Sequence, residues 1–420
     1  MPPRIVITSW GSYGDIYPYL GLGRRLAAAG AEVVLAVPEY YRGTVEAAGL
    51  GHRSVGPGID PADRALVSRV MDPARGPEAL VRDILLPALE RTARDLREAT
   101  RGADLLVTHP VTFAGPVVAA LEGVPWVSTV LAPLSFFSAT DPPVLPAAPW
   151  LAGLARRVPW AAHLLARTAR RATAAWMAPV HALRRAHRLP PGGHPLFEGQ
   201  FSPTLTLALF SPVFAPPQPD WPPQTRTTGF VFHDDPADVL PSSLEAFLAA
   251  GAPPVVFTLG TSAVHAAGAF YAESVAAVRA LGVRAVLLTG GIQGNLPAGR
   301  LPDDVLAVDR APHARLFPRA SVVVHQGGIG TTAQALRAGR PMLVVPHAHD
   351  QADNAARAVR LGVARTLGPR AYVARRVTPV LTHLLTDAAA ARHAERTALA
   401  LATEDGAREA AQALLAAAGA

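Results

Sequence analysis

The sequence predicts an α/β protein of two Rossmann-like domains, each built on a parallel β-sheet and facing the other across a cleft. Three observations support this fold class. The chain has 420 residues, which is the length of two domains. Short apolar strands alternate with helical segments at the spacing of parallel βαβ units. The alternation stops at a Pro-rich segment, residues 212–223, and then restarts.

The first half of the chain begins with a strand, a helix and a second strand, predicted at residues 5–8, 16–29 and 33–37. A further strand, helix and strand are predicted at 104–108, 114–121 and 125–130. Short continuous apolar runs of this kind are typical of buried strands. Their alternation with helices favours a parallel sheet.

The second half follows a stretch with six Pro residues, which predicts a stiff linker. Its strands are predicted at 255–259, 285–288, 305–308, 321–325 and 342–345, and the Ala-rich tail 382–418 is predicted to be helical. The predicted division is an N-terminal domain at 1–211, a linker at 212–225, a C-terminal domain at 226–385, and C-terminal helices at 386–420 that cross back to the first domain. In such a pair of domains, ligands bind in the cleft at the carboxyl ends of the strands.

The composition excludes several classes of protein. Half of the residues are hydrophobic, which excludes global disorder. Cys is absent, which excludes disulfide scaffolds, thiolate nucleophiles and Cys-ligated metal sites. Residues 1–10 do not have the pattern of a signal peptide, and the most apolar long window, 117–139, is interrupted by a Glu and two Pro. We therefore expect a soluble, cytoplasmic protein.

One segment is strongly basic. Residues 142–197 contain eight Arg and neither Asp nor Glu, and Trp150, Trp160 and Trp176 lie among the Arg residues. Two interpretations stay open. The stretch could contact an anionic membrane surface or an amphiphilic substrate through residues 150–188, or it could form surface helices with solvated Arg faces. Nucleic-acid binding is not expected, since the rest of the chain has no basic stripe or binding motif.

The most informative stretch follows the predicted strand 321–325. His325 is followed by a loop with three glycines, Gly327, Gly328 and Gly330, and then by a helix predicted from Thr331. Glycines let the backbone approach a ligand closely, and the free N–H groups and dipole of a helix start attract an anion. The sequence therefore predicts a phosphate site at this loop.

The loop after the next predicted strand has the side chains that sugars need. It carries His347, His349, Asp350, Gln351, Asp353 and Asn354. Carboxylate and carboxamide groups hydrogen-bond sugar hydroxyls well. A nucleoside diphosphate sugar needs a phosphate cradle and an acid–amide pair about one pyrophosphate apart.

These residues have the spacing of a known donor-binding signature: His325, Gly327, Gly328, Gly330, Thr331, Gly339, Pro341, Pro346, Asp350, Gln351 and Asn354. A second group lies near the N-terminus: Gly11, Ser12, Gly14, Asp15, Ile16 and Pro18. Both resemble family 1 glycosyltransferases, which have the two-domain GT-B fold. The linker is most similar to that of the rhamnosyltransferases of rhamnolipid synthesis, and the N-terminal loop to the bacterial and sterol branches, which also include macrolide enzymes.

The resemblance implies roles for individual residues. The N-terminal domain would bind the acceptor and the C-terminal domain the nucleotide sugar. The donor-binding residues would be Gly14, Thr261, His313, His325, Gly327, Gly328, Gly330, Thr331, His347, Asp350 and Gln351. The acceptor-binding residues would be Trp10, Tyr13, Phe136 and Phe137. The plant signature has a ribose-binding Glu where this sequence has Ala333, which is compatible with a dTDP-sugar donor as well as a UDP-sugar.

The expected reaction is an inverting transfer of a sugar to a hydroxyl of a small hydrophobic or amphiphilic acceptor. The candidate base is Asp15, at the position where plant relatives have their catalytic His. His109 stands where those relatives have the Asp partner, so the two roles could be exchanged. No Asp-x-Asp run lies in a suitable loop. We therefore expect neither an obligatory metal nor a cofactor other than the nucleotide sugar.

Simpler interpretations remain for single residues. Asp15 could be a helix cap, His109 a core histidine, and His325, His347 and His349 metal ligands. For the whole protein the alternatives are a nonhydrolysing nucleotide-sugar epimerase and a catalytically silent nucleotide-sugar-binding subunit. An NAD(P) oxidoreductase is disfavoured, because the first loop lacks G-x-G-x-x-G. The acceptor, the sugar, the nucleobase and the oligomeric state, monomer or homodimer, are not fixed by the sequence.

Overall fold

A computed structural model describes residues 1–58, 63–235, 237–296 and 299–419. Its described strands form two separate, entirely parallel sheets. The N-terminal sheet has seven strands in the order β3-β2-β1-β4-β5-β6-β7. Their bounds are β1 Arg4–Thr8, β2 Glu32–Val37, β3 Gly51–Ser54, β4 Leu105–Thr108, β5 Trp126–Val130, β6 Thr206–Ala208 and β7 Thr225–Thr227. This is the first of the two predicted domains.

The C-terminal sheet has six strands in the order β10-β9-β8-β11-β12-β13. Their bounds are β8 Val255–Thr258, β9 Ala285–Leu288, β10 Val305–Val308, β11 Val322–His325, β12 Met342–Val344 and β13 Ala364–Thr366. The central strands are apolar and fully buried, as strands covered on both faces by helices must be. Two parallel-sheet α/β domains are the fold class that the sequence predicted, and this prediction is confirmed.

Helices connect the strands and cover the sheets. In the N-terminal half they are α1 Tyr13–Ala28, α2 Arg42–Ala47, α3 Arg64–Val70, α4 Gly76–Ala79, α5 Leu89–Ala99, α6 Gly115–Glu122, α7 Trp150–Arg157, α8 Pro159–Ala174 and α9 Ala178–Ala186. In the C-terminal half they are α10 Ser242–Ala249, α11 Phe270–Leu281, α12 His313–Leu316, α13 Ile329–Arg337, α14 Gln351–Arg360, α15 Ala374–Thr386, α16 Ala388–Leu401 and α17 Gly406–Ala417.

The Pro-rich segment lies within the first domain and does not connect the two sheets. It joins β6 to β7, and β7 pairs in parallel with β6, so the polypeptide leaves the first sheet only after Thr227. The boundary predicted at 212–225 therefore falls one strand too early. The physical reason is packing: Trp221 is buried and stacks on Phe136, with ring centroids 4.2 Å apart. A segment fixed in this way belongs to the domain that it covers.

The C-terminal helices return to the first domain. Helix α17 lies against α1. Glu404, just before α17, accepts a hydrogen bond of 2.7 Å from the Ser211 hydroxyl, and Asp405 pairs with Arg25 at 3.3 Å. The tail therefore ties the two domains together.

The basic segment forms helices α7, α8 and α9. Among the described residues, no helix combines the length and the apolar character needed to cross a bilayer. Trp150 and Trp160 are 68% and 69% exposed, whereas Met177 is fully buried. The apolar residues of this segment thus divide between the core and an exposed surface that also carries Arg.

Candidate functional site

The glycine loop after β11 has the geometry of an anion cradle. Gly327 has φ +91°, and a Cβ there would lie 2.8 Å from Val344 Cγ1 and 2.9 Å from the Gln351 carbonyl oxygen. Only glycine fits this position without displacing its neighbours. Gly328 is the N-cap of α13, and the helix begins at Ile329, two residues before the predicted start at Thr331. The first N–H groups of α13 have no partner within the helix and are free for an anion.

His325 ends β11 as a neutral, proton-donating side chain. It is fully buried, and its Nδ1 accepts a hydrogen bond of 3.0 Å from the Gly327 N–H. Burial, with a smaller contribution from the nearby His313, lowers the pKa of His325 to about 3. The ring is therefore neutral with its proton on Nε2. That Nε2 is buried without a hydrogen-bond partner among the described residues, which makes it a donor available to a ligand oxygen.

The loop after β8 packs against the glycine loop. The amide of Gln326 fills the space beside Gly260, where a Cβ would lie 2.2 Å from its Nε2. Gln326 thus holds the loop after β8 against the glycine loop. Thr261 follows in that loop and is exposed, with its hydroxyl free to turn toward a phosphate. The structure brings these two predicted donor loops together.

His313 is the first residue of α12 and lies near His325. Its ring stacks on Phe317 with centroids 4.3 Å apart, and burial lowers the pKa of His313 to about 4. The ring is therefore neutral at physiological pH. The packing of His313 against Phe317 fixes the backbone at the place where the resemblance puts the nucleobase.

The loop after β12 is held by its own polar side chains. Gln351 Oε1 accepts hydrogen bonds from the backbone N–H groups of His347 (2.8 Å) and Ala348 (3.1 Å). Asn354 Nδ2 donates to the Gly327 carbonyl oxygen at 3.0 Å and to Asp350 Oδ2 at 2.7 Å. The acid–amide loop and the glycine loop are therefore one connected unit. The Gln351 amide nitrogen remains available to a ligand.

The titratable groups of this loop are strongly desolvated. Burial raises the pKa of Asp350 to about 7, against a weaker opposing effect of its hydrogen bond from Asn354. Burial lowers the pKa of His347 to about 4, and its Nε2 is buried without a partner among the described residues. Perturbed groups that gather in a cleft are typical of a ligand site.

Asp15 belongs to the opposite domain, in the first turn of α1. Ser12 is the N-cap, and Asp15 is the third helical residue of a capping box: the Ser12 N–H donates to Asp15 Oδ2 at 2.8 Å. Gly11 has φ +143°, and a Cβ there would lie 2.2 Å from Asp15 Oδ2, so glycine makes room for the carboxylate. Within the described residues no hydrogen bond to Asp15 Oδ1 is formed, and this oxygen can serve a ligand. Gly14 lies between Ser12 and Asp15 in the sequence, and its N–H donates to Ser12 Oγ at 3.2 Å.

The carboxylates of Asp15 and Asp350 are electrostatically coupled, although they belong to different domains. Burial raises the pKa of Asp15 to about 6 despite its hydrogen bonds from Ser12. The negative charge of Asp15 also contributes to the raised pKa of Asp350. The two groups come from different domains, so this coupling places Asp15 within electrostatic reach of the predicted sugar-binding loop.

His109 follows β4 at the same edge of the first sheet but is not joined to Asp15. Its backbone N–H donates to the Thr8 carbonyl oxygen at 3.2 Å. Its ring packs edge-on against Tyr19 at 6.1 Å, and Nδ1 has no partner in the described part of the protein. Burial lowers the pKa of His109 to about 3. His109 lines a shallow hollow together with residues of the 180–200 segment. It stays a candidate base, and we find no hydrogen bond from Asp15 to orient it.

The four predicted acceptor residues have different surroundings. Tyr13 contacts the rings of Tyr17, Tyr40 and Tyr41 at centroid distances of 5.0–6.0 Å and stays partly exposed beside Asp15. Phe137 is partly exposed and packs against Phe197 at 4.8 Å. Tyr13 and Phe137 retain a surface that an acceptor could contact.

Trp10 and Phe136 are corrections to the predicted acceptor site. Trp10 is 7% exposed and its Nε1 donates to the Pro57 carbonyl oxygen at 2.8 Å. Phe136 is 8% exposed and lies in the core against Trp221. Both rings are covered by their own domain, so they support the acceptor side from behind and offer an acceptor almost no surface.

Sequence reasoning missed a cluster of charged residues behind the acid–amide loop. Asp353 and Arg357 of α14 are buried, and Arg357 meets Asp141 of the first domain. The only sequence signal was the place of Asp353 within the Asp350–Asn354 motif. The hydrogen-bond partners of α14 in the first domain are 209 positions or more away in sequence, and no local pattern marks them.

Comparisons with known proteins agree with this fold. Residues 285–417 match the family model "Erythromycin biosynthesis protein CIII-like, C-terminal domain". The chain is 37% identical to the O-mycaminosyltylonolide 6-deoxyallosyltransferase of Streptomyces fradiae, over 96% of this chain and 94% of that one. It is 31% identical to the glycosyltransferase GtfE of Amycolatopsis orientalis, over 86% and 85% of the two chains. Among solved structures, its fold is similar to that of the glycosyltransferase VinC in complex with DTDP, with a TM-score of 0.69, 23% identity and coverage of 99% of both chains.

Proposed function

Since the chain belongs to the family 1 glycosyltransferases, with their two-domain GT-B fold, we propose that it is an inverting, metal-independent enzyme that transfers a sugar from a nucleoside diphosphate to an acceptor hydroxyl. One observation carries the proposal. The anion cradle at His325–Thr331 is joined by hydrogen bonds to the loop of Asp350, and Asp350 is coupled electrostatically to Asp15 in the other domain. In this proposal the donor and base sites face each other across one cleft.

The donor is a thymidine diphosphate sugar in this proposal. VinC, which has the same fold, was solved with DTDP, and the relative from Streptomyces fradiae is named for the transfer of a 6-deoxyallosyl group. In this protein Ala333, eight positions after His325, is 3% exposed and offers no carboxylate to a ribose 2′-hydroxyl. A deoxyribose has no 2′-hydroxyl, so a thymidine nucleotide loses no contact when position 333 lacks a carboxylate.

The acceptor is an amphiphilic natural product of the kind that the same relative's name describes, O-mycaminosyltylonolide. The partly exposed rings of Tyr13 and Phe137 supply apolar contacts on the first domain. Peripheral contact of residues 150–188 with an anionic surface is a separate proposal, which the exposure of Trp150 and Trp160 next to Arg156 and Arg157 supports.

The reaction needs a base for the acceptor proton and groups that stabilise the negative charge of the leaving diphosphate. As the acceptor oxygen attacks the anomeric carbon, its proton passes to Asp15 Oδ1, and the sugar–phosphate bond breaks on the opposite face. The leaving diphosphate gains negative charge. The N–H groups at the start of α13 and the Nε2–H of His325 stabilise that charge without reorganising. A single displacement of this kind inverts the anomeric configuration.

A turnover assay tests the proposal. We expect the protein, given a dTDP-6-deoxyhexose and O-mycaminosyltylonolide, to form a product heavier by one deoxyhexosyl unit, as seen by mass spectrometry, with excess EDTA present. NMR of the product should show the anomeric configuration opposite to that of the donor. Conversion of the donor without acceptor would instead indicate an epimerase. Donor binding without any turnover across an acceptor panel would indicate a silent binding subunit.

A further inference from the structure

Helix α14 contacts the first domain through a buried charge network behind the acid–amide loop. Arg357 donates from Nε to Asp353 Oδ2 at 2.8 Å, within the helix, and from a terminal nitrogen to Asp141 Oδ2 at 2.5 Å, across the domain boundary. The other carboxylate oxygen of Asp141 lies 3.5 Å from both Arg156 and Arg360. One guanidinium therefore bridges carboxylates of both domains.

The centre of the network is shielded from water. The side chains of Asp353, Arg357 and Asp141 are 0%, 3% and 16% exposed. Charges removed from water to this extent must be paired, because an unpaired member carries the full cost of desolvation. Exposed ion pairs, by contrast, contribute little. The contact is therefore specific for one relative placement of α14 and the first domain.

The backbone of the first domain takes part as well. The Val144 N–H donates to Asp353 Oδ1 at 3.0 Å. Next to this bond, Val144 and Ala152 pack against Ala352 and Ala356 of α14. Residues 137–144, which we call the docking loop, thus contact α14 through both charge and apolar surface.

The docking loop is itself held by the Pro-rich segment. Asp220 accepts hydrogen bonds from the Ser138 hydroxyl at 2.8 Å, the Ala139 N–H at 2.6 Å and the Thr140 hydroxyl at 2.8 Å. The stack of Trp221 on Phe136 anchors the residue before the loop. A continuous series of contacts therefore runs from the core of the first domain to α14.

We propose that Asp141 and Arg357 are positioning residues that set the donor-sugar contacts from the acceptor side. Asp350 is the N-cap of α14, and Gln351 and Asn354 lie in its first turn, so a shift of the helix moves all three. Docking of the loop fixes these groups opposite Asp15. This inference rests on the proposed function, since it takes the Asp350–Gln351 loop as the sugar site.

The Asp141→Asn variant tests the inference with little risk to folding, because Arg357 keeps its bond to Asp353. We expect kcat/KM for the donor sugar to fall about tenfold, and about 100-fold in Arg357→Met, since small misplacements of binding groups have effects of this size. Arg357→Lys should recover part of the loss. The Kd of thymidine diphosphate, which has no sugar, should rise by a smaller factor than the donor kcat/KM falls, because the phosphates bind at the start of α13 and α14 reaches that cradle at the Gly327 carbonyl.

The control is Glu245→Gln, which breaks an exposed ion pair with Arg319 within the second domain. It should leave both constants unchanged. A readout without ligand comes from hydrogen exchange: residues 345–360 should exchange faster in Asp141→Asn than in the wild type. An Asp141→Asn enzyme with wild-type donor kcat/KM and wild-type exchange would overturn the inference, as would an equal loss of sugar and thymidine diphosphate binding.

The two proposals fail differently. If the wild type transfers sugar and Asp141→Asn does so equally well, the inference is wrong and the proposed function stands. If the wild type transfers no sugar from any donor, the proposed function fails and the inference falls with it. Faster exchange of residues 345–360 would then show only that the docking loop orders α14.

Discussion

Replacing Asp15 with Asn should abolish nearly all transfer while leaving the donor bound. The side chain keeps its size and its place in the capping box, but it can no longer accept a proton from the acceptor hydroxyl. A general base contributes about 10²- to 10⁴-fold to a rate, so kcat should fall by that factor. The measurement is product formation under saturating substrates, with the Kd of thymidine diphosphate as the check that the donor site is intact.

The dependence of the rate on pH gives a second readout of the same group. Burial raises the pKa of Asp15 to about 6, and the base must be ionised to act. The rate should therefore fall as the pH is lowered through about 6, and the residual rate of Asp15→Asn should lack this step. His109 has a pKa of about 3 and is neutral across this range. If Asp15→Asn kept the wild-type rate, His109 would be the base instead. His109→Ala should then lose activity.

Replacing Gly327 with Ala should damage both the fold and the donor site. Its φ of +91° is strained for any other residue, and the new Cβ would lie within 3 Å of Val344 and of the Gln351 backbone. Left-handed strain of about 1–2 kcal/mol and overpacking of about 1–3 kcal/mol should lower the free energy of unfolding. The displaced loop should weaken thymidine diphosphate binding at least about tenfold. Thermal unfolding and calorimetry measure the two effects.

Two other glycines separate folding from binding. A Cβ on Gly330, in the first turn of α13, would meet nothing within 4 Å, and Ala is favoured over Gly in a helix. Gly330→Ala should therefore keep its stability but weaken thymidine diphosphate binding, because the added methyl group lies in the helix turn whose N–H groups we propose to bind the diphosphate. Gly368→Ala, also in open space but outside the donor loops, should change neither. Unaltered thymidine diphosphate binding in Gly327→Ala would contradict the proposal that this loop holds the diphosphate.

Most of the fold could be predicted because buried parallel strands leave a strong local signal. The strand predicted at 285–288 is β9 with the same bounds, and the strand predicted at 321–325 differs from β11 by one residue. The strands that were missed include β3, β7 and β13, which are short and partly exposed, with sequences such as Gly51–Ser54. Edge strands of this kind have little apolar periodicity to detect.

The site was predictable where one short stretch of sequence carries it. The motif from His325 to Thr331 predicts the cradle because the glycines and the helix start are adjacent in sequence. Residue type alone does not tell whether an aromatic ring faces the core of its own domain or the cleft. Trp10 and Phe136 were therefore assigned to the acceptor. The Asp141–Arg357 pair is separated by 216 positions and could be found only from the folded structure.

The central claim is that the second domain holds the donor by its diphosphate while the first presents Asp15 across the cleft. A crystal structure of the protein with thymidine diphosphate tests it most directly. We expect the phosphates over the first turn of α13, within hydrogen-bonding distance of His325 Nε2, and an open path from there to Asp15 Oδ1. Phosphates bound anywhere else, or a His325 ring turned away from them, would contradict the account.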